Sequence, residues 1–283
     1  IPMTAWVESL NASVAAGAVL SEFARQRRAA QKEAHAFVAM FLTSVRPAPE
    51  PIGEGLPGVP EHMRRLGVLI AALPGGALRL PTPVTVVVGD NGAGKSTLLE
   101  AIAVGLGVNP EGGSRHARFA TGDEDYPEWL ICSRAHNPRD VYFLRGETFL
   151  NLSEYHHQIH SPENPDPLSD LPFLSHGQGL LALVERRFHS DGMIILDEPE
   201  DGLSHPRQVE VVTQLERLAA RGAQVILATH SPVFLSMQGA TVYTFGDKGI
   251  APVAPEATEA VHAAREFLAD PLGTAAFLIG EGE

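Results

Sequence analysis

Gly89, Asp90, Asn91, Gly92, Ala93, Gly94, Lys95 and Ser96 follow one another in the pattern GxxxxGK then Ser or Thr. Each residue type there answers a physical need. Glycines let backbone N–H groups converge on an anion with no Cβ in the way. A helix starting at this point adds its positive N-terminal end to the same anion. Lys95 is expected to reach the outer phosphates of a nucleoside triphosphate. Ser96 is expected to give a ligand to magnesium, with Thr97 beside it in the same cradle. A plain glycine-rich turn is the competing reading. The context decides against it, since an apolar β-branched run (84–88) comes before and a helical pattern (96–106) comes after.

Two acids close another apolar run. Met193, Ile194, Ile195 and Leu196 lead into Asp197 and Glu198. Carboxylates at the C-terminal end of a buried strand sit where open α/β sheets bind ligands. Asp197 is expected to hold magnesium, and Glu198 to act as general base toward an attacking water. Alone, such a pair reads equally well as a solvated strand end. Ser175, in Leu174-Ser175-His176-Gly177-Gln178, stands just before a helix predicted over 179–188. It is an N-cap by default and, with the N–H groups around Gly177 and Gln178, a second anion site. His230 closes the run 224–230. It reads as a structural histidine, or as an imidazole reaching the γ-phosphate from the same sheet edge as Asp197.

These residues need a scaffold of strands feeding helices. Runs 84–88, 141–144, 193–196 and 224–228 read as buried strands, and 96–106 and 206–221 as helices, the latter with Pro206 near its first position. Residues 241–252 read as a hairpin turning at Asp247-Lys248-Gly249, and 257–269 as a final helix. The stretch 151–173 carries Pro162, Pro165, Pro167 and Pro172 and reads as loop. Residues 4–41 read as helix and 47–60 as linker. The expected fold is a three-layer α/β domain around a largely parallel sheet.

Composition narrows the classes. The chain has 283 residues, 44% of them hydrophobic, and a formal net charge of −13, which argues against a whole-molecule electrostatic match to nucleic acid or an anionic membrane. One cysteine excludes a disulfide framework. No apolar run is long enough to span a bilayer and no secretory leader is evident, so a soluble, cytoplasmic protein is expected. His156, His157 and His160 suggest a metal, but the surrounding prolines and the lack of an obvious fourth ligand argue against one. Arg25, Arg27, Arg28 and Lys32 read as a charged helix face.

The motifs, in this order, resemble an ATP-binding-cassette ATPase. Walker A is 89–96, the signature LSHGQ is 174–178, Walker B with its glutamate is 193–198, a D-loop follows at 200–204, and His230 is the switch histidine. More narrowly, GDNGAGKSTLLEAIA, NPEGGSR, YFLRGETF, ILDEPEDGLS and ATHSP are similar to the soluble, SMC-like "predicted ATPase" branch of that superfamily. The resemblance implies a P-loop NTPase sandwich over 42–283, with a helical insertion at about 107–190 and an N-terminal helical extension at 1–41. It implies ATP and Mg²⁺ as ligands. It also implies a head-to-tail homodimer in which Ser175, Gly177 and Gln178 of one copy meet the γ-phosphate held by the other. His176 replaces the usual first signature glycine, and Ser204 stands where the D-loop usually has aspartate. No Q-loop glutamine is evident, which leaves Glu147 as the candidate for the metal shell. Arg115 and Arg118 are either nucleotide contacts or solvated loop residues. The short spans around the motifs predict a minimal ATPase head. The function implied is an ATPase driving a partner effector, related to defence or nucleic acid. The alternative is the nucleotide-binding subunit of a transporter.

Overall fold

The structure, a computed structural model, describes residues 40–49, 59–114, 129–146, 148–163, 165–246 and 248–278. In chain order the elements are β1 (Leu42–Pro47), α1 (Glu61–Ala71), β2 (Leu78–Arg79), β3 (Val84–Gly89), α2 (Lys95–Gly105), β4 (Gly113–Ser114), β5 (Leu130–Arg134), β6 (Val141–Arg145), α3 (Phe149–Ile159), α4 (His176–Arg187), β7 (Met193–Asp197), α5 (His205–Ala220), β8 (Gln224–Ala228), β9 (Thr241–Gly246), β10 (Gly249–Pro252), α6 (Glu259–Ala269) and α7 (Pro271–Leu278).

The main sheet has seven strands in the order β10-β9-β3-β8-β7-β6-β4. Its centre is parallel, from β9 through β3, β8 and β7 to β6, and antiparallel strands close both edges. The central strands are apolar at nearly every position because both faces are covered. Successive side chains alternate between two cores. Val86, Val88, Ile194, Leu196, Val225 and Leu227 join one with α4 and α5. Val87, Ile195, Ile226 and Ala228 join the other with α1 and α2. That alternation makes the three layers of a P-loop α/β sandwich, as expected.

A second, antiparallel sheet of β2-β1-β5 flanks the second core. Gln224, buried at the start of β8, stitches it to the main sheet. Its Oε1 accepts from Leu42 N at 2.8 Å and Phe41 N at 3.1 Å, and its Nε2 donates to Leu42 O at 2.8 Å.

Several sequence readings change. Residues 149–159 form α3, with Phe149, Leu152 and His156 buried at helical spacing. All four prolines of 151–173 lie beyond that helix, so they bound it rather than break it. The final helix begins at Glu259, after a 3₁₀ turn at Pro255–Ala257, and a further helix, α7, follows it. Helix α1 and the small sheet were not anticipated. The hairpin of β9 and β10 forms as read, although Asp247 lies outside the described residues. The expected N-terminal helix (apart from residues 40 and 41), its basic cluster, Arg115, Arg118 and Glu147 also lie outside them.

Candidate functional site

Strand register sets the site. Asp197 pairs with Ala228 on one side and with Arg145 on the other, and Val87 pairs with Ala228. The ends of β3, β6, β7 and β8 therefore fall on one sheet edge, and the chain leaves that edge as the glycine loop, the acidic turn and the His230 loop.

The glycine loop is held tightly. Gly89 has φ +146°, and a Cβ there would lie 2.1 Å from Phe245 O, so only glycine allows β9 this close. Gly94, at φ +97°, is the N-cap of α2 and has no side chain to satisfy the first-turn N–H groups, which leaves them to a ligand. Lys95 is buried, and its Nζ donates to Gly89 O at 2.8 Å and Asp90 O at 3.0 Å. Burial lowers its pKa, against the pull of Glu198, Asp197, Asp90 and Glu200. The ammonium is thus folded onto its own loop with four carboxylates around it.

Ser96 Oγ donates to Asp197 Oδ1 at 3.3 Å. Burial raises the Asp197 carboxyl to about 6, with Glu198 and Glu100 adding to the rise and Ser96 and Arg145 opposing it. A hydroxyl and a buried carboxylate, both hard oxygen donors, suit a magnesium ion, so the residues fit that metal. Arg145 faces the same place: Nη1 lies 2.9 Å from Glu100 Oε1 and Nε 4.0 Å from Asp197 Oδ2.

Glu198 has φ +49°, a conformation rare outside glycine. Its N–H donates to Ala228 O at 3.0 Å, and its Oε1 lies 3.6 Å from His230 Nε2. Strain of this kind clusters where a side chain must be aimed. His230 thus stands beside the acid pair, as the sequence reading expects.

A cleft of 780 Å³ opens over the glycine loop. Asn91, Gly92, Ala93, Gly94, Lys95, Ser96 and Thr97 line one side, and Glu198 joins them. The opposite wall is α1, through Glu61, His62, Arg65, Leu66 and Leu69. Leu66 packs on Gly94, with its methyls 3.7 Å from where a Cβ would be. Sequence reading missed this wall. The usable signal was the one-sided apolar spacing of Met63, Leu66 and Ile70, with His62 just before it and Arg65 within it.

The signature residues are not part of that wall. Ser175 caps α4 in a capping box: its Oγ accepts from Gln178 N at 3.4 Å, and Gln178 Oε1 accepts from Ser175 N at 3.0 Å. Ser175 and Gln178 are exposed, and Gly177 is buried against Leu203 and Arg207. The His176 ring rests on Phe149, 4.7 Å between centroids, and on Gly202, where a Cβ would lie 3.2 Å away. Burial lowers the His176 pKa, although Asp201 pulls the other way.

The three histidines of α3 and its exit tie down the following loop. His156 Nδ1 meets Asp166 Oδ2 at 3.0 Å, His157 Nδ1 meets Ser169 O at 2.9 Å, and His160 Nδ1 accepts from Asp166 N at 3.0 Å. No cluster of three or more metal-ligating side chains occurs among the described residues. No helix among them is long and apolar enough to cross a membrane.

Two family models match parts of the chain. One described as "AAA domain, putative AbiEii toxin, Type IV TA system" covers residues 178–236, and one described as "AAA domain" covers 76–135. The ribose import ATP-binding protein RbsA 1 of Rhizobium meliloti (strain 1021) is 30% identical over 206 residues, 64% of this chain and 38% of that protein. The chain thus spans well under half of that relative. The cytochrome c biogenesis ATP-binding export protein CcmA of Bartonella quintana (strain Toulouse) is 31% identical over 169 residues, 54% of this chain and 77% of that protein. Among solved structures, the SMC head domain from Thermotoga maritima aligns with a TM-score of 0.37 at 17% identity, covering 62% of this chain and 92% of that one. With more than three quarters of an ATP-binding export protein matched at this identity, and the loop, acid pair and histidine gathered on one sheet edge, the chain belongs to the ATP-binding-cassette family of P-loop ATPases.

Proposed function

We propose that this chain is a magnesium-dependent ATP hydrolase that works as a nucleotide-gated, head-to-tail pair. The observation that carries the reading is the meeting of Lys95, Ser96, Asp197, Glu198 and His230 at the sheet edge beneath one cleft. The triphosphate lies along Gly89–Thr97, and Lys95 exchanges its loop carbonyls for phosphate oxygens. Ser96 and Asp197 hold magnesium, with Glu147 the further candidate for the metal shell. When bound, the metal neutralises developing charge on the phosphate oxygens. The purine rests against α1, on Leu69 and the His62 ring.

Glu198 accepts a proton from water as the water oxygen bonds to the γ-phosphorus. The bond from that phosphorus to the bridging oxygen breaks, and the electron pair leaves with ADP. Phosphate departs carrying the water oxygen, and Glu198 returns its proton to solvent. His230 orients Glu198 and the γ-phosphate. Ser175 and the N–H groups of Gly177 and Gln178 act in trans, a reading supported by the exposure of Ser175 and Gln178 at a capped helix start outside the chain's own cleft.

The matched relatives are named for import and export, which favours work on a membrane transporter's other subunits. The family model over 178–236, whose description names a putative toxin of a type IV TA system, supports a second reading, an ATPase that drives a partner effector related to defence or nucleic acid. One experiment tests both. Glu198→Gln protein with ATP should elute as a dimer, and a pull-down with it should recover an integral membrane protein in the first case and a soluble effector or nucleic acid in the second. A Glu198→Gln protein that hydrolyses ATP normally overturns the assignment.

A further inference from the structure

Glu200 sits two residues beyond Glu198, and its carboxylate turns back into the protein rather than toward solvent. Oε1 accepts three hydrogen bonds from the loop after β8: Thr229 Oγ1 at 2.7 Å, His230 N at 2.6 Å and Ser231 N at 3.1 Å. The other oxygen, Oε2, is buried with no hydrogen-bond partner among the described residues. A carboxylate left half-satisfied is costly, so the three bonds on Oε1 fix its place. The same loop is held again by Ser231 Oγ donating to Gln208 Oε1 at 2.6 Å, while Gln208 Nε2 donates to Leu203 O at 3.2 Å. The His230 side chain, by contrast, is exposed, and among the described residues its Nε2 faces Glu198 Oε1 at 3.6 Å. Its aim is therefore set by its backbone, and its backbone is held by Glu200.

We propose that Glu200 is the positioning residue that keeps His230 against Glu198, by holding the His230 and Ser231 N–H groups from the acidic turn. This rests on the ATPase reading above. Glu200 does not touch the nucleotide in this scheme. It sets the spacing between the end of β7, which delivers Asp197 and Glu198, and the end of β8, which leads to His230.

The test is a double-mutant cycle on steady-state ATP turnover, with thermal unfolding and ATP affinity as controls. Glu200→Ala should lower kcat by about tenfold or more while ATP affinity stays within about twofold. Glu200→Gln, whose amide oxygen accepts the same three donors, should restore most of the loss. In a His230→Ala background, Glu200→Ala should cost less than about twofold more. If Glu200→Ala fails to fold, Glu200→Asp takes its place in the cycle, since it keeps the charge and shortens the reach by one methylene. Losses that multiply rather than overlap overturn the positioning role, as does a loss carried wholly by ATP affinity. An unmodified protein that turns over no ATP sinks the ATPase reading instead, so the two failures are distinct.

Discussion

Ser96 and Asp197, 101 positions apart, meet through a 3.3 Å hydrogen bond from Oγ to Oδ1. The pair stores a cost. Asp197 is buried, and its carboxyl rises from an ordinary 3.8 to about 6. Between those values the folded protein keeps a proton that the unfolded chain has released. Stability of the ligand-free protein therefore falls as pH rises through that window and stays lower above it. Asp197→Asn should raise the ligand-free melting temperature by a few degrees at pH 7.5, at about 2–4 °C per kcal/mol for a domain of this size. The gain should shrink toward pH 4. Scanning calorimetry across pH checks this, and a variant that melts lower at pH 7.5 contradicts it.

Lys95 and Glu198 separate binding from turnover. Lys95→Ala should lose nucleotide affinity, because the ammonium that bridges loop and phosphate is gone. Glu198→Gln should keep ATP, lose hydrolysis by about 10²–10⁴-fold and accumulate a dimer. Calorimetric titration and sizing chromatography read the two outcomes, and equal affinity in both variants counts against the assigned roles.

The α1 wall predicts a contact to the purine. His62→Ala should weaken ATP by about 1 kcal/mol, roughly fivefold, through lost ring contact. His62→Phe should restore it. Binding of inorganic tripolyphosphate, which has no purine, should not change. If it weakens equally, His62 acts on the phosphates and the purine lies elsewhere.

Gln224 offers a test of the scaffold away from the chemistry. Gln224→Met leaves Leu42 N and O without their side-chain partner. The expected loss is about 2–4 kcal/mol, since buried backbone groups left unpaired cost about 1–3 kcal/mol each. Urea unfolding measures it, and a change under 1 kcal/mol would mean that water replaces the amide.

Much of this site could be read in the sequence, for a physical reason. A phosphate loop needs fixed residue types at fixed spacing, and parallel strands need continuous apolar runs, so β3, β7, β8 and the residues 89–96, 197, 198 and 230 announce themselves. Helix α3 was hidden because the prolines at 162, 165, 167 and 172 dominate the composition of a window whose first third is helical. Helix α1 and its His62 escaped because nothing local says that Leu66 will land on Gly94. The inward turn of Arg145, and of Glu200 at the start of the D-loop, escaped for a related reason. Each is an ordinary charge in the sequence, and only the pairing of β6 with β7, and of β7 with β8, turns it inward.

Gly202, at φ +68°, leaves just enough room for the His176 ring to lie on it, and Gly177 does the same for Leu203 and Arg207. Two segments that the chain separates by a whole strand are thereby clamped face to face. The start of α4 therefore packs directly on the turn that follows Glu198 and Glu200. The exposed start of α4 thus lies one close contact away from the turn that carries the acid of the reaction centre, so the outer surface and the chemistry share a single packed seam.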